Sequence, residues 1–193
     1  ASVRRSGGGR VPYALNNQAG FDPVCEAIEK AGLDGVKMML VNYPNMPTGQ
    51  TPTMELFQKI VDFGARHNIL IVHDNPYSFI RNAAAPISIM EAEGARDVAL
   101  EMNSLSKGHS MAGWRVGYTV THPDLVKKLS QITGQATGNI CSVSQKAAVA
   151  ALTGPYDRVE SIRQALQKRP AMAWKEIPPR SHAVCPKPAG ASY

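Results

Sequence analysis

Cysteine is scarce. Cys25, Cys141 and Cys185 are odd in number and far apart, and no C-x-x-C pair exists. This points away from a disulfide framework and toward a reducing compartment. No His/Cys cluster has the spacing of a metal site, so no metal is expected. No apolar run approaches the roughly 20 residues of a membrane span, and no hydrophobic signal segment opens the chain. No internal repeat of about 20–50 residues is visible, which excludes a solenoid. These absences predict a cytoplasmic protein without a membrane partner.

What remains is the composition of a soluble globular chain: 193 residues, 44% hydrophobic and 19% charged. That length suffices for one domain with a real core. The formal charge is +6. Part of the excess lies in Arg4, Arg5 and Arg10, within a glycine-rich start that reads as a disordered tail over residues 1–12. The rest is scattered, which argues against a nucleic-acid surface; a phosphorylated or acidic small molecule suits the same balance.

The hydrophobic patterning alternates. Residues 1–20 show no periodic element. Asp22 and Pro23 read as a helix start, with Val24, Ala27, Ile28 and Ala31 on one face and Gly32 as the stop. Residues 36–41 predict a strand, 53–67 a helix, 69–72 a central strand, 91–96 a helix tail, and 98–102 and 116–120 further strands. Pro123 opens another helix, 143–152 forms an alanine-rich one, and 156–174 a longer one disrupted at Pro170; residues 184–193 read as extended. Strands alternating with helices predict an α/β fold, a three-layer sandwich with a mainly parallel sheet covered on both faces.

In such sheets ligands bind outside the carboxyl ends of the strands. Three polar segments follow predicted strands there: Asn42 to Gly49, His73 to Tyr77, and the run Ser104-Leu105-Ser106-Lys107-Gly108-His109-Ser110-Met111-Ala112-Gly113-Trp114-Arg115-Val116-Gly117. A lysine in a tight, partly desolvated loop can lose its proton and attack a carbonyl carbon. Arg115, Ser104 and Ser106 can grip a phosphate. Asp74 follows buried aliphatics, where a carboxylate is expensive unless it meets a cation such as a protonated pyridine nitrogen. Tyr77 can donate to a phenolate oxygen on the same ring. Singly, each has a plainer reading: a surface lysine, a turn aspartate, a packed tyrosine, a salt-bridged arginine. His73 and His109 receive no role, and Trp114 reads as core.

The order and spacing of these segments resemble the class I/II aminotransferases of pyridoxal-phosphate (PLP) fold type I. The residues that carry it are Tyr43-Pro44-Asn45-Met46-Pro47-Thr48-Gly49, Asp74-Asn75-Pro76-Tyr77, and Ser104-Leu105-Ser106-Lys107 with Gly113-Trp114-Arg115-Val116-Gly117. The look is nearest to the branch of LL-diaminopimelate, aspartate and histidinol-phosphate aminotransferases. The resemblance implies pyridoxal 5′-phosphate held by Lys107 as a Schiff base, with Asp74 on the pyridine nitrogen and Tyr77 on the ring oxygen. Ser104, Ser106 and Arg115 fall in the phosphate cup. It further implies amino-group transfer between an amino acid and a 2-oxo acid, and a homodimer when intact. Other fold type I chemistries (C–S lysis, decarboxylation) or a non-catalytic PLP-binding remnant use the same residues. By this resemblance residues 13–180 form the PLP-binding large domain, cut at both ends, and 181–193 the start of a smaller C-terminal domain. Two positions depart from the pattern. Met46 stands where the family has an asparagine that bonds the ring oxygen, and Ser192, in Pro188-Ala189-Gly190-Ala191-Ser192-Tyr193, takes an aromatic place.

Overall fold

The structure, a computed structural model, describes residues 2–15, 20, 22–80, 85–136, 138–177 and 190. Two compact units divide between Val36 and Lys37. In the first, α1 (Ser2–Arg5) is a single helical turn within the glycine-rich start, where no regular element was expected. Helix α2 (Cys25–Ala31) begins later than Pro23 predicts. Val24 occupies the extended cap position without a side-chain cap, and Gly32, at φ 94°, ends the helix with its N–H on the Glu29 carbonyl.

Among the described residues, the second unit is built on four strands in the order β1 (Met38–Asn42), β2 (Leu70–Asn75), β3 (Ala99–Ser104) and β4 (Gly117–Thr121). The β1–β2 and β2–β3 pairs are parallel; β3–β4 is antiparallel. The sheet is therefore mainly parallel, as the sequence predicts, with a reversed edge strand that periodicity does not reveal. The strands that precede the three polar segments are neighbours, so those segments emerge side by side.

Between β1 and β2 runs α3 (Met54–His67). Its start is fixed by Thr53, whose hydroxyl oxygen accepts the Leu56 N–H at 3.1 Å, and its end by left-handed Asn68. Leu56, Phe57, Ile60, Val61, Phe63 and Gly64 are buried along one stripe. Phe57 meets the His73 ring edge-on at 5.0 Å, which places α3 on the sheet face formed by Met39, Val41, Ile71, His73, Ala99 and Glu101. Burying each large apolar side chain there contributes about 1.5–3 kcal/mol. Gly64 allows the close return to β2: a Cβ would stand 2.8 Å from both the Ile69 carbonyl oxygen and Ile71 Cγ1.

On the opposite face Met38 and Leu40 of β1 are exposed. A 3-10 turn (Ile89–Glu91) precedes α4 (Ala95–Val98), so the predicted helix tail over 91–96 is divided in two. Three helices follow β4: α5 (Pro123–Ala136), α6 (Ser142–Thr153) and α7 (Asp157–Glu176). The disruption expected at Pro170 is not seen. Strong helix formers on either side of it, among them Gln167, Lys168, Ala171 and Met172, carry α7 through. The extended reading of 184–193 lies outside the described residues except at Gly190.

Candidate active site

The first segment leaves β1 at Asn42, whose side chain joins two of the three segments. Its amide donates to the Asp74 backbone carbonyl at 2.8 Å, and its oxygen accepts the Met46 N–H at 2.8 Å. Asn45 turns inward, only 6% exposed, and its side-chain oxygen accepts from the Thr48 hydroxyl at 2.8 Å. Its amide donates to the Asn42 carbonyl at 3.1 Å. The loop thus uses Asn45 to hold itself, and presents Met46, 48% exposed, at the adjoining position. Gly190 is buried nearby; a Cβ there would lie 2.6 Å from Thr51 Cγ2 and 3.4 Å from Pro44 Cβ.

Asp74 lies within β2 rather than after it, since the strand extends to Asn75. It is in register with Asn42 and Met102, on the face opposite His73. Burial pushes its carboxyl up from the ordinary range, and His73 pulls it down less. No hydrogen bond or ion pair to this carboxylate is found among the described residues. A half-buried carboxylate without a hydrogen-bond partner suits a protonated ring nitrogen. Tyr77 follows, buried against Ile80 with Leu166 of α7 packed on them.

The lysine segment is tied at both ends to the sheet. Ser104 pairs with Gly117 across β3 and β4, and Leu105 donates its N–H to the Val116 carbonyl at 3.4 Å. Leu105, Met111 and Val116 turn inward onto Ala148 of α6. That anchoring leaves the polar residues outside. Lys107 is exposed, not desolvated as expected, with Nζ 5.8 Å from the centre of the Tyr77 ring. The Ser104 hydroxyl accepts the Ser106 N–H at 3.1 Å. Arg115, left-handed at φ 51°, is exposed and donates to the Ala112 carbonyl at 3.2 Å. Trp114, expected in the core, is 46% exposed on the 3-10 turn Ala112–Trp114. Lys107 and Tyr77 are therefore together, Ser104, Ser106 and Arg115 share one loop, and Asp74 sits on the neighbouring strand.

Sequence reasoning passed over His73 and Glu101. His73 is fully buried, with Nδ1 3.0 Å from Glu101 Oε2 and Nε2 2.9 Å from the Tyr43 carbonyl oxygen. Glu101 carried a signal, a lone carboxylate inside the apolar run 98–102, whereas His73 reads as the first residue of a polar segment.

A carboxylate on a central strand, a lysine beside a tyrosine ring and a loop bearing serines and an arginine thus lie at the carboxyl ends of the parallel strands of an α/β sheet. The chain belongs to the class I and II aminotransferases, whose family model matches residues 1–181. That family is PLP-dependent, and its three-layer fold type I architecture is the one expected. The chain is 37% identical over 169 residues to the LL-diaminopimelate aminotransferase of Halothermothrix orenii, covering 87% of this chain and 43% of the relative. The corresponding Desulforudis audaxviator enzyme is 35% identical, covering 96% and 50%. Among solved structures, apo-BacF from Bacillus subtilis superposes with a TM-score of 0.90 at 29% identity, covering 98% of this chain and 48% of that one. Aspartate aminotransferase from Thermus thermophilus with maleate superposes with a TM-score of 0.87 at 27% identity, covering 97% and 50%. The chain spans about half the length of these proteins or less.

Proposed function

We propose that this chain forms the cofactor-holding part of a PLP-dependent aminotransferase acting between an amino acid and a 2-oxo acid. The observation that carries this reading is Lys107 poised over Tyr77, in a loop with Ser104, Ser106 and Arg115, beside the strand that bears Asp74. When bound, pyridoxal phosphate supplies an aldehyde that takes an amine and a ring that withdraws electrons from the substrate α-carbon.

The residues divide the remaining work. Lys107 offers the amine that holds the cofactor and, once released, moves the α-carbon proton as base and acid. Asp74 keeps the ring nitrogen protonated. Tyr77 donates to the ring oxygen, and Ser104, Ser106 and Arg115 hold the phosphate. Met46 cannot donate a hydrogen bond, so Tyr77 bears more of the tuning at that oxygen. LL-diaminopimelate and aspartate, the donors in the relatives' names, are the first substrates to test. A homodimer, a cytoplasmic location, and a division into a tail (1–12), a PLP-binding domain (13–180) and the start of a smaller domain (181–193) belong to the same reading. The family match ends at residue 181, and among the described residues no helix is long and apolar enough to cross a membrane.

The test is to incubate the full chain with pyridoxal phosphate, reduce with borohydride, and map the modified lysine by peptide mass spectrometry. Modification concentrated at Lys107 and lost in Lys107→Ala is expected. Labelling spread over other lysines, unchanged in that variant, overturns the reading. Amine transfer from the two named donors to the bound cofactor then separates an enzyme from a mere binder.

A further inference from the structure

His73 links two of the three segments of the site to the strand that leads into the third, without facing the site. It lies in β2 beside Asp74, bonds the backbone of the first segment at Tyr43, and meets Glu101 on β3, three residues before Ser104. Its hydrogen-bond partners determine its protonation. The Tyr43 carbonyl can only accept, so Nε2 carries a proton. Glu101 Oε2 receives the Ser88 hydroxyl at 3.0 Å and the Ile89 N–H at 3.0 Å, and Oε1 receives the Asn103 amide at 2.9 Å. A carboxyl surrounded by that many donors is ionised. Burial pushes Glu101 up, but hydrogen bonds from His73 and Asn103 prevail and bring it to about 2. Nδ1 thus faces an ionised carboxylate, an arrangement that favours a proton on that nitrogen as well.

Such a pair is a poor way to gain stability, because desolvation offsets much of its attraction. It does supply a fixed charge and a fixed geometry. The residues flanking Asp74 across the sheet, Asn42 and Met102, are uncharged. His73 is the charged group acting on that carboxylate, while Glu101, Phe57 and Tyr43 face His73 itself.

We propose that His73, held as an imidazolium by Glu101, is a positioning residue that ties the Tyr43 loop, the Asp74 strand and the strand entering the lysine loop into one unit, and sets a permanent positive charge behind Asp74. This rests on the reading of Asp74 as the partner of the cofactor's ring nitrogen. The charge opposes the effect of burial on Asp74, and the clamp keeps Asn42 and Asp74 in register.

The experiment uses the full chain with isotope-labelled histidine and aspartate, followed by NMR without cofactor. The His73 ring, assigned by its loss in His73→Gln, is expected to carry protons on both nitrogens at neutral pH, and to lose one in Glu101→Gln. The titration midpoint of the Asp74 carboxyl is expected to rise in His73→Gln, a change that loss of packing alone does not produce. A singly protonated ring in the native chain, or an unmoved Asp74 midpoint in a folded variant, overturns the proposal. If neither variant folds, the ring nitrogens of the native chain still decide it. These readouts need no cofactor, so failed labelling of Lys107 would sink the functional reading and leave the ion pair standing. Where labelling succeeds, His73→Gln is expected to weaken pyridoxal phosphate binding.

Discussion

Asn42 bridges the first segment of the site to the carboxylate-bearing strand: its amide donates to the Asp74 carbonyl at 2.8 Å while its oxygen accepts the Met46 N–H at 2.8 Å. No apolar side chain reproduces both bonds. Asn42→Ala is expected to destabilise the chain by about 1–3 kcal/mol in urea unfolding, because it leaves a partly buried carbonyl and N–H without partners. An unchanged unfolding midpoint would mean that the loop holds its place through Asn45 alone.

Asp74 holds its carboxyl in a half-buried position at the expense of stability. Its carboxyl is raised chiefly by burial, so the folded state resists its ionisation. Linkage then gives the sign: the unfolded chain releases this proton first, and the residue's contribution to stability declines as pH rises through the unfolded toward the folded value. Asp74→Asn is expected to stabilise the cofactor-free chain modestly at neutral pH, by under about 1 kcal/mol, seen as a higher thermal midpoint. The same change should weaken pyridoxal phosphate retention. A variant that loses both stability and cofactor would show that Asp74 is structural.

Glu101 works in the opposite direction. Its folded value of about 2 lies below the ordinary carboxylate range, so its contribution is present above the unfolded pKa and lost as pH falls through the folded one. Acid unfolding should therefore steepen between about pH 4.5 and pH 2. In Glu101→Gln that part of the pH dependence should be absent. Persistence of the same slope in the variant would assign it to other carboxylates.

Gly117 sits where β4 meets Ser104, and a Cβ there would collide with the Asn103 carbonyl oxygen, a backbone atom that cannot swing aside. Gly117→Ala is expected to cost about 1–3 kcal/mol and to loosen the lysine loop. Hydrogen exchange should show faster opening at Leu105 and Met111, while the α3 amides remain protected. Uniform exchange rates across both regions would contradict that localisation.

Much of this was legible before any coordinates. Thr53 and the apolar stripe through Phe63 marked α3, because cap and periodicity agree there. Asp74, a carboxylate after aliphatics, marked itself by its cost. The direction of β4 was hidden, since period-2 patterning is the same for parallel and antiparallel strands. The exposure of Lys107 was hidden too: Leu105, Met111 and Val116 compete for the interior, and which side of the loop wins is a matter of packing. Glu101 stood out as a lone carboxylate in an apolar run, but its partner His73 opens a polar segment and shows its burial only once the strands are paired.

The reversal of β4 has one more consequence. The segment from Leu105 to Val116 leaves the sheet at Ser104 and rejoins it at Gly117 on the adjacent strand, held between them by Leu105, Met111 and Val116 on Ala148, so it behaves as a cassette. Its length and composition can drift, or be exchanged between relatives, without re-threading any other strand. The part of the molecule richest in chemistry is thereby the part the sheet can most easily replace.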